Sequence, residues 1–168
     1  MLVTSSCVSI VQNTLAIFVS GLTQPFNKWS REAYGQGFSW RPESISFLIP
    51  NDGDVSVEVH LESEVRLRPE TLRAILVPFA VPAAGKLELS GIYEKVDRLV
   101  QIPRGKYSLL FQLGRENITG NARAQVGDGD LFWCWLTFVA DDLPRPAILR
   151  RDADLKPPEP LVMDGEPA

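Results

Sequence analysis

The side chains best placed to do chemistry in this chain are carboxylates. Asp52, Asp54, Glu58, Glu62 and Glu64 fall within residues 51–64, a stretch without one Lys or Arg. If that stretch is a strand, alternation puts Glu58, Glu62 and Glu64 on one face. Neighbouring same-face positions stand about 7 Å apart. That spacing approximates the step between phosphates on an extended nucleic-acid strand, so the row can mimic phosphates in front of a cationic groove. A second cation-free stretch, Asp128 to Asp142, adds Asp130 and Asp141. The structural alternative for each acid is a solvated sheet face whose charges discourage edge-to-edge pairing.

Other chemistry is poorly supplied. The chain has one histidine, His60, expected on the water-facing side between Glu58 and Glu62. There it reads as a surface residue rather than a general base. No second His or neighbouring Cys gives it metal-ligand spacing, and no G-x-S-x-G elbow is present. Asp52-Gly-Asp54 and Asp128-Gly-Asp130 begin like calcium loops, but the remaining oxygen ligands do not follow, so both read as turns. The expectation is a protein that is not an enzyme, with no cofactor and no metal.

At 168 residues with 45% hydrophobic content, the chain suits one domain that can bury a core without staples. A net charge of -4 argues against direct nucleic-acid binding, which needs a basic face, and suits a basic protein partner. Cys7 and Cys134 are too few for a disulfide framework and read as two small buried residues in a reducing compartment. Residues 2–26 carry no charge. No cation precedes the apolar residues, and Gln12-Asn13 interrupts them, so the segment reads as strand rather than as a signal peptide. A cytoplasmic protein is expected, with no membrane contact.

The elements that must position the acids are strands. Residues 8–20 read as a bent strand or a strand pair broken at Gln12-Asn13. Residues 27–36 give one or two helical turns, with Asn27 as N-cap and Gly35 and Gly37 as stops. Ile45–Ile49 is a short strand ended by Pro50-Asn-Asp-Gly53. The alternation from Val55 to Arg68 predicts a long strand, with valines and leucines inward and His60, the glutamates and the arginines outward. Thr71–Val81 is a strand in which Pro78 demands an edge or a bulge. Further strands are expected at Lys86–Tyr93, Arg98–Ile102, Lys106–Leu113 and Leu131–Val139, with a mobile loop over 115–129. About eight strands with Gly/Pro turns and one short helix point to an antiparallel β-sandwich over residues 1–143. The remainder, 144–168, holds six of the 13 prolines and few apolar residues, and reads as a disordered tail.

A set of short phrases lies across these strands. It runs from Ile17-Phe18 through Trp29, Glu32, Ala33, Gly37 and Phe38 to Ile45-Ser-Phe47, Val77-Pro-Phe79 and Pro103-x-Gly105-x-Tyr107-x-Leu109. In order and spacing, over roughly residues 8–113, it resembles the competence protein J family. The resemblance implies a cytoplasmic bacterial protein that inhibits a non-specific DNA-entry nuclease made by the same cell; the acidic charge of this chain suits a nuclease that is basic. It carries over no catalytic residue. Trp29 reads as an anchor for the short helix, and Glu32 as a cap, a salt-bridge partner or a residue facing the nuclease. The partner-binding candidates are therefore Glu58, Glu62, Glu64, Asp52, Asp54 and Glu32. An alternative of another class is a non-enzymatic β-sandwich module that binds carbohydrate or another ligand through an aromatic patch of Trp40, Tyr93 and Trp133 or Trp135.

Overall fold

The computed structural model describes residues 1–94, 98–117 and 131–168. The acids Asp128 and Asp130, and most of the expected mobile loop, lie outside the described residues. Two sheets stack face to face. The six-stranded sheet contains β1 (Leu2–Ile10), β5 (Gly53–Glu62), β6 (Arg73–Val81), β9 (Gly105–Arg115), β10 (Phe132–Ala140) and β11 (Ala147–Arg150), in the order β1-β5-β10-β9-β6-β11. The five-stranded sheet contains β2 (Thr14–Val19), β3 (Phe38–Arg41), β4 (Ser44–Leu48), β7 (Lys86–Gly91) and β8 (Leu99–Gln101), in the order β3-β4-β2-β7-β8. Between the sheets Phe47 of β4 stacks on Phe111 of β9, with ring centroids 4.4 Å apart. Around this pair lie fully buried side chains such as Leu15, Ile17, Val57, Val77 and Leu136. The sandwich is the expected one, with more strands than the eight anticipated and with one parallel pairing, β5 on β10.

The polar break at Gln12-Asn13 is a turn between the two sheets. Both residues have positive φ, 53° and 56°, a conformation that Asn accepts more readily than most residues. Asp52 holds the turn: its carboxylate accepts the backbone N–H groups of Gln12 (3.2 Å) and Asn13 (2.7 Å). The single helix among the described residues, α1 (Arg31–Gln36), is capped by Ser30, whose hydroxyl accepts the N–H of Ala33. It ends at Gly37, with φ 81°. The expected N-cap Asn27 is instead buried, donating to the carbonyls of Ser39 and Ser44. Pro78 sits where β6 has β9 on one side only, since β11 reaches just to Leu76. Its carbonyl is taken by Trp40 Nε1 at 2.7 Å.

The parallel pairing has a consequence for the acids. β5 runs parallel to β10; β10 and β6 are each antiparallel to β9, so β5 and β6 run the same way with two strands between them. No tight turn can join such strands. The chain leaves β5 at Glu62 and crosses the outer face of β10 and β9 through residues 63–72. The alternation that predicts strand up to Arg68 is therefore only half realised: Val65 is exposed, not inward.

Residues 144–168, expected to be disordered, lie along the side of the sandwich instead. β11 pairs with β6. Asp152 then takes the fully buried Arg73 in a two-pronged ion pair, 2.9 and 3.1 Å. Leu155 enters the core. Beyond it Gln36 both donates to and accepts from the Val162 backbone, and the N–H of Gly165 bonds to the Trp40 carbonyl at 2.7 Å. Composition predicts disorder because it counts apolar residues. Here backbone hydrogen bonds to two sheet edges, one buried ion pair, the buried Leu155 and the partly buried Ile148, Leu161 and Met163 supply the ordering energy.

Candidate functional site

Asp54, Ser56, Glu58, His60 and Glu62 share the outer face of β5, opposite the buried Val55, Val57 and Val59. Glu64 follows in the bend just past the strand. Three of the predicted glutamates therefore come together at one end of the six-stranded sheet, with Asp54 further along the same face. Each glutamate is engaged. Glu58 Oε2 lies 2.8 Å from His60 Nε2. Glu62 accepts from the N-terminal ammonium of Met1, whose hydrogen bond holds its carboxyl below the usual glutamate range. Glu64 pairs with Arg66. The Met1 ammonium and the Arg66 guanidinium offset part of the local field, while Glu62 and Glu64 remain exposed to solvent.

His60 departs from its expected place in water. It is 9% exposed, with Trp135 of β10 packed against its ring and Glu58 on its Nε2. Its ring lies 4.3 Å from that of Trp135. Alternation fixed which face His60 occupies but not what lies over that face. Of the residues that build this part of the surface, Arg68 was legible only as an outward-facing arginine and Trp135 only as part of an alternative aromatic patch, and Gln112 carried no signal in the sequence. Gln112 and Trp135, together with His60, Glu62, Glu64 and Arg66, border a hollow of about 350 Å³.

The other candidates lie elsewhere. Asp52 is spent on the turn between β1 and β2. Glu32 is on α1, next to β3 at the far edge of the other sheet, where it opens on a separate groove of about 590 Å³ beside Asp164 and Glu166. The aromatic patch of a carbohydrate module is not assembled. Trp40 is anchored to Pro78 at the β3 edge. Tyr93 stands in the turn after β7. Trp133 and Trp135 face outward from β10, each covered by the Arg68 guanidinium at 4.3 Å. The two cysteines differ from expectation too. Cys134 is buried, its thiol pushed up by desolvation, but Cys7 is exposed. Cys7 lies opposite Ser56, whereas Cys134 lies opposite Val57, so they address opposite faces of one sheet. Among the described residues no three His, Cys, Asp or Glu side chains converge as a metal site.

The family model of competence protein J (ComJ) matches residues 7–139. The chain belongs to the competence protein J family. The match spans the strand set from β1 to β10 and stops before the segment that carries β11. Among solved structures, ComJ from Bacillus subtilis, described as an inhibitor of the DNA-degrading activity of NucA, superposes with a TM-score of 0.64 at 20% identity. The superposition covers 83% of this chain and 98% of that one, and shows a shared fold. The crocagin biosynthetic gene J product aligns at 14% identity over 79% of this chain and 97% of its own, with a TM-score of 0.46. No curated protein matches the chain.

Proposed function

We propose that this chain is a non-enzymatic protein inhibitor that binds and blocks a basic, non-specific nuclease of the same cell, acting in the cytoplasm. The observation that carries the reading is the family match over residues 7–139, in a family whose Bacillus subtilis member is described as a nuclease inhibitor. The contact face in this reading is the end of β5 with the bend that follows, presenting Asp54, Glu58, Glu62 and Glu64. Asp52 and Glu32, occupied and remote respectively, contribute nothing direct.

Exposed carboxylates at such a face steer a cationic partner into register. They raise the association rate more than the final affinity. A standard protein interface buries about 1,600 Å² in total, more than this cluster of acids provides, so neighbouring side chains on the outer face share the contact. The test is an inhibition titration against the cell's own non-specific DNase, comparing the parent chain with Glu62→Gln/Glu64→Gln across a range of salt. The expected result is weaker inhibition at low salt and a flatter salt dependence. Unchanged inhibition at low salt removes this face from the contact.

A further inference from the structure

We propose that the crossover between β5 and β6 is a preformed recognition loop, and that Gln112 is the residue that positions it. This rests on the contact face just proposed. A crossover joining two parallel strands needs only enough length to reach. This one is fastened from beneath. Gln112 of β9 is 1% exposed, and its side-chain hydrogen bonds all go to the segment. Its Oε1 accepts the backbone N–H of Arg68 at 2.9 Å and the Thr71 hydroxyl at 2.8 Å. Its Nε2 donates to the Arg66 carbonyl at 3.2 Å. One amide thus spans six residues of loop, in a buried setting where unmade hydrogen bonds are costly.

A second fastening acts on the side chains. The Arg68 guanidinium sits 4.3 Å from the ring centres of both Trp133 and Trp135. Trp133 can lie flat against the sheet only because its cross-strand partner is Gly114, where a Cβ would come within 2.7 Å of the indole nitrogen. Trp135 in turn backs His60, which holds Glu58. At the far end Arg150 donates to the Thr71 carbonyl at 2.9 Å. With its backbone held this way, the loop leaves the side chains of Glu64 and Arg66 58% and 80% exposed. A held backbone beneath solvent-exposed charged tips, here paired with each other, is the arrangement that lowers the ordering cost of binding. Glu62 at the end of β5 and Glu64 in the loop edge the hollow over Trp135 with Arg66 beside them, two acids to one base, and the partner chemistry that suits this rim is a cationic side chain.

The experiment is a mutant cycle. Gln112→Leu and Glu62→Gln/Glu64→Gln are measured singly and together, for nuclease inhibition and for amide exchange across 64–71. Gln112→Leu is expected to speed exchange at Arg68 and to weaken inhibition about tenfold, the scale of re-ordering one or two side chains on binding. In the Glu62→Gln/Glu64→Gln background it should cost nothing further. A general loss of stability would instead act equally in both backgrounds. Additive losses, a freed loop with full inhibition, or a loop unchanged by the substitution each overturn the positioning role while leaving the proposed function intact. If Glu62→Gln/Glu64→Gln alone has no effect, the contact face falls, and the loop's role with it. Should Gln112→Leu fail to fold, Thr71→Val, which removes the hydroxyl that donates to Gln112 Oε1, runs through the same cycle with the same outcomes.

Discussion

Leu155→Ala tests whether the segment after β10 belongs to the folded body. Leu155 is 3% exposed. Its methyls occupy space that a Cβ at Gly37 would enter, to within 2.9 Å, beside Ile75. The substitution removes three carbons, worth about 2.4 kcal/mol at roughly 0.8 per methylene. The cavity left behind takes the expected loss to about 3–4 kcal/mol. For a chain of this size that lowers the melting temperature by about 6–16 °C. There is a ceiling: if the segment docks by less than this amount, it detaches locally and the global loss stops at its docking energy. The two cases are separable. Urea unfolding gives the global loss, and amide exchange at Lys156, Val162 and Gly165, whose N–H groups bond to α1, its Gln36 side chain and β3, reports detachment. A disordered tail would tolerate the change within about 0.5 kcal/mol. Such a small loss, with tail amides exchanging freely in the parent chain, would refute the docking.

Two further changes probe the sheet edge and the acid limb of stability. Glu94 accepts the Ser9 N–H at 2.5 Å and Arg98 donates to the Cys7 carbonyl at 2.7 Å, so this pair covers outward-facing backbone of the edge strand β1. Glu94→Ala/Arg98→Ala should bare that edge and raise the concentration-dependent mass seen by light scattering relative to the parent chain; an unchanged mass argues that the pair is dispensable. Asp141 accepts from the Ser108 hydroxyl (2.7 Å) and the Leu143 N–H (3.0 Å), and these bonds, the hydroxyl first, hold its carboxyl below the ordinary aspartate value of 3.8. A depressed folded value stabilises the protein above the unfolded value, and the stabilisation disappears as pH falls through the folded one. Ser108→Ala should therefore cost stability at pH 6 and progressively less toward pH 3, as followed by urea unfolding at each pH; a cost independent of pH would assign the loss to packing alone.

Local rules fixed much of what positions the acids. The alternation of Val55, Val57 and Val59 with Asp54, Glu58 and Glu62 placed two chemistries on two faces, because a strand has a period of two wherever one side meets a core. Gln12-Asn13 marked the turn between sheets, and Pro78 marked a stretch of strand with a single neighbour, since proline has no backbone N–H to give to a ladder. The family phrases, which run through β2, α1, β4, β6 and β9, named the fold that the family model and the superposition support. What the chain could not declare locally was pairing and cover. Strand β5 stops at Glu62 because its neighbours stop, although the alternation continues to Arg68. His60 is enclosed and Cys7 exposed because of strands and loops distant in sequence. Asn27 yields the helix cap to Ser30 because the Ser39 and Ser44 carbonyls claim its amide. The proline-rich end is ordered by Arg73 and Gln36, residues 79 and 126 positions away from the groups they hold. Periodicity is written in neighbouring residues; hydrogen-bond partners and burial are set by which strands meet, and only the assembled sheets decide that.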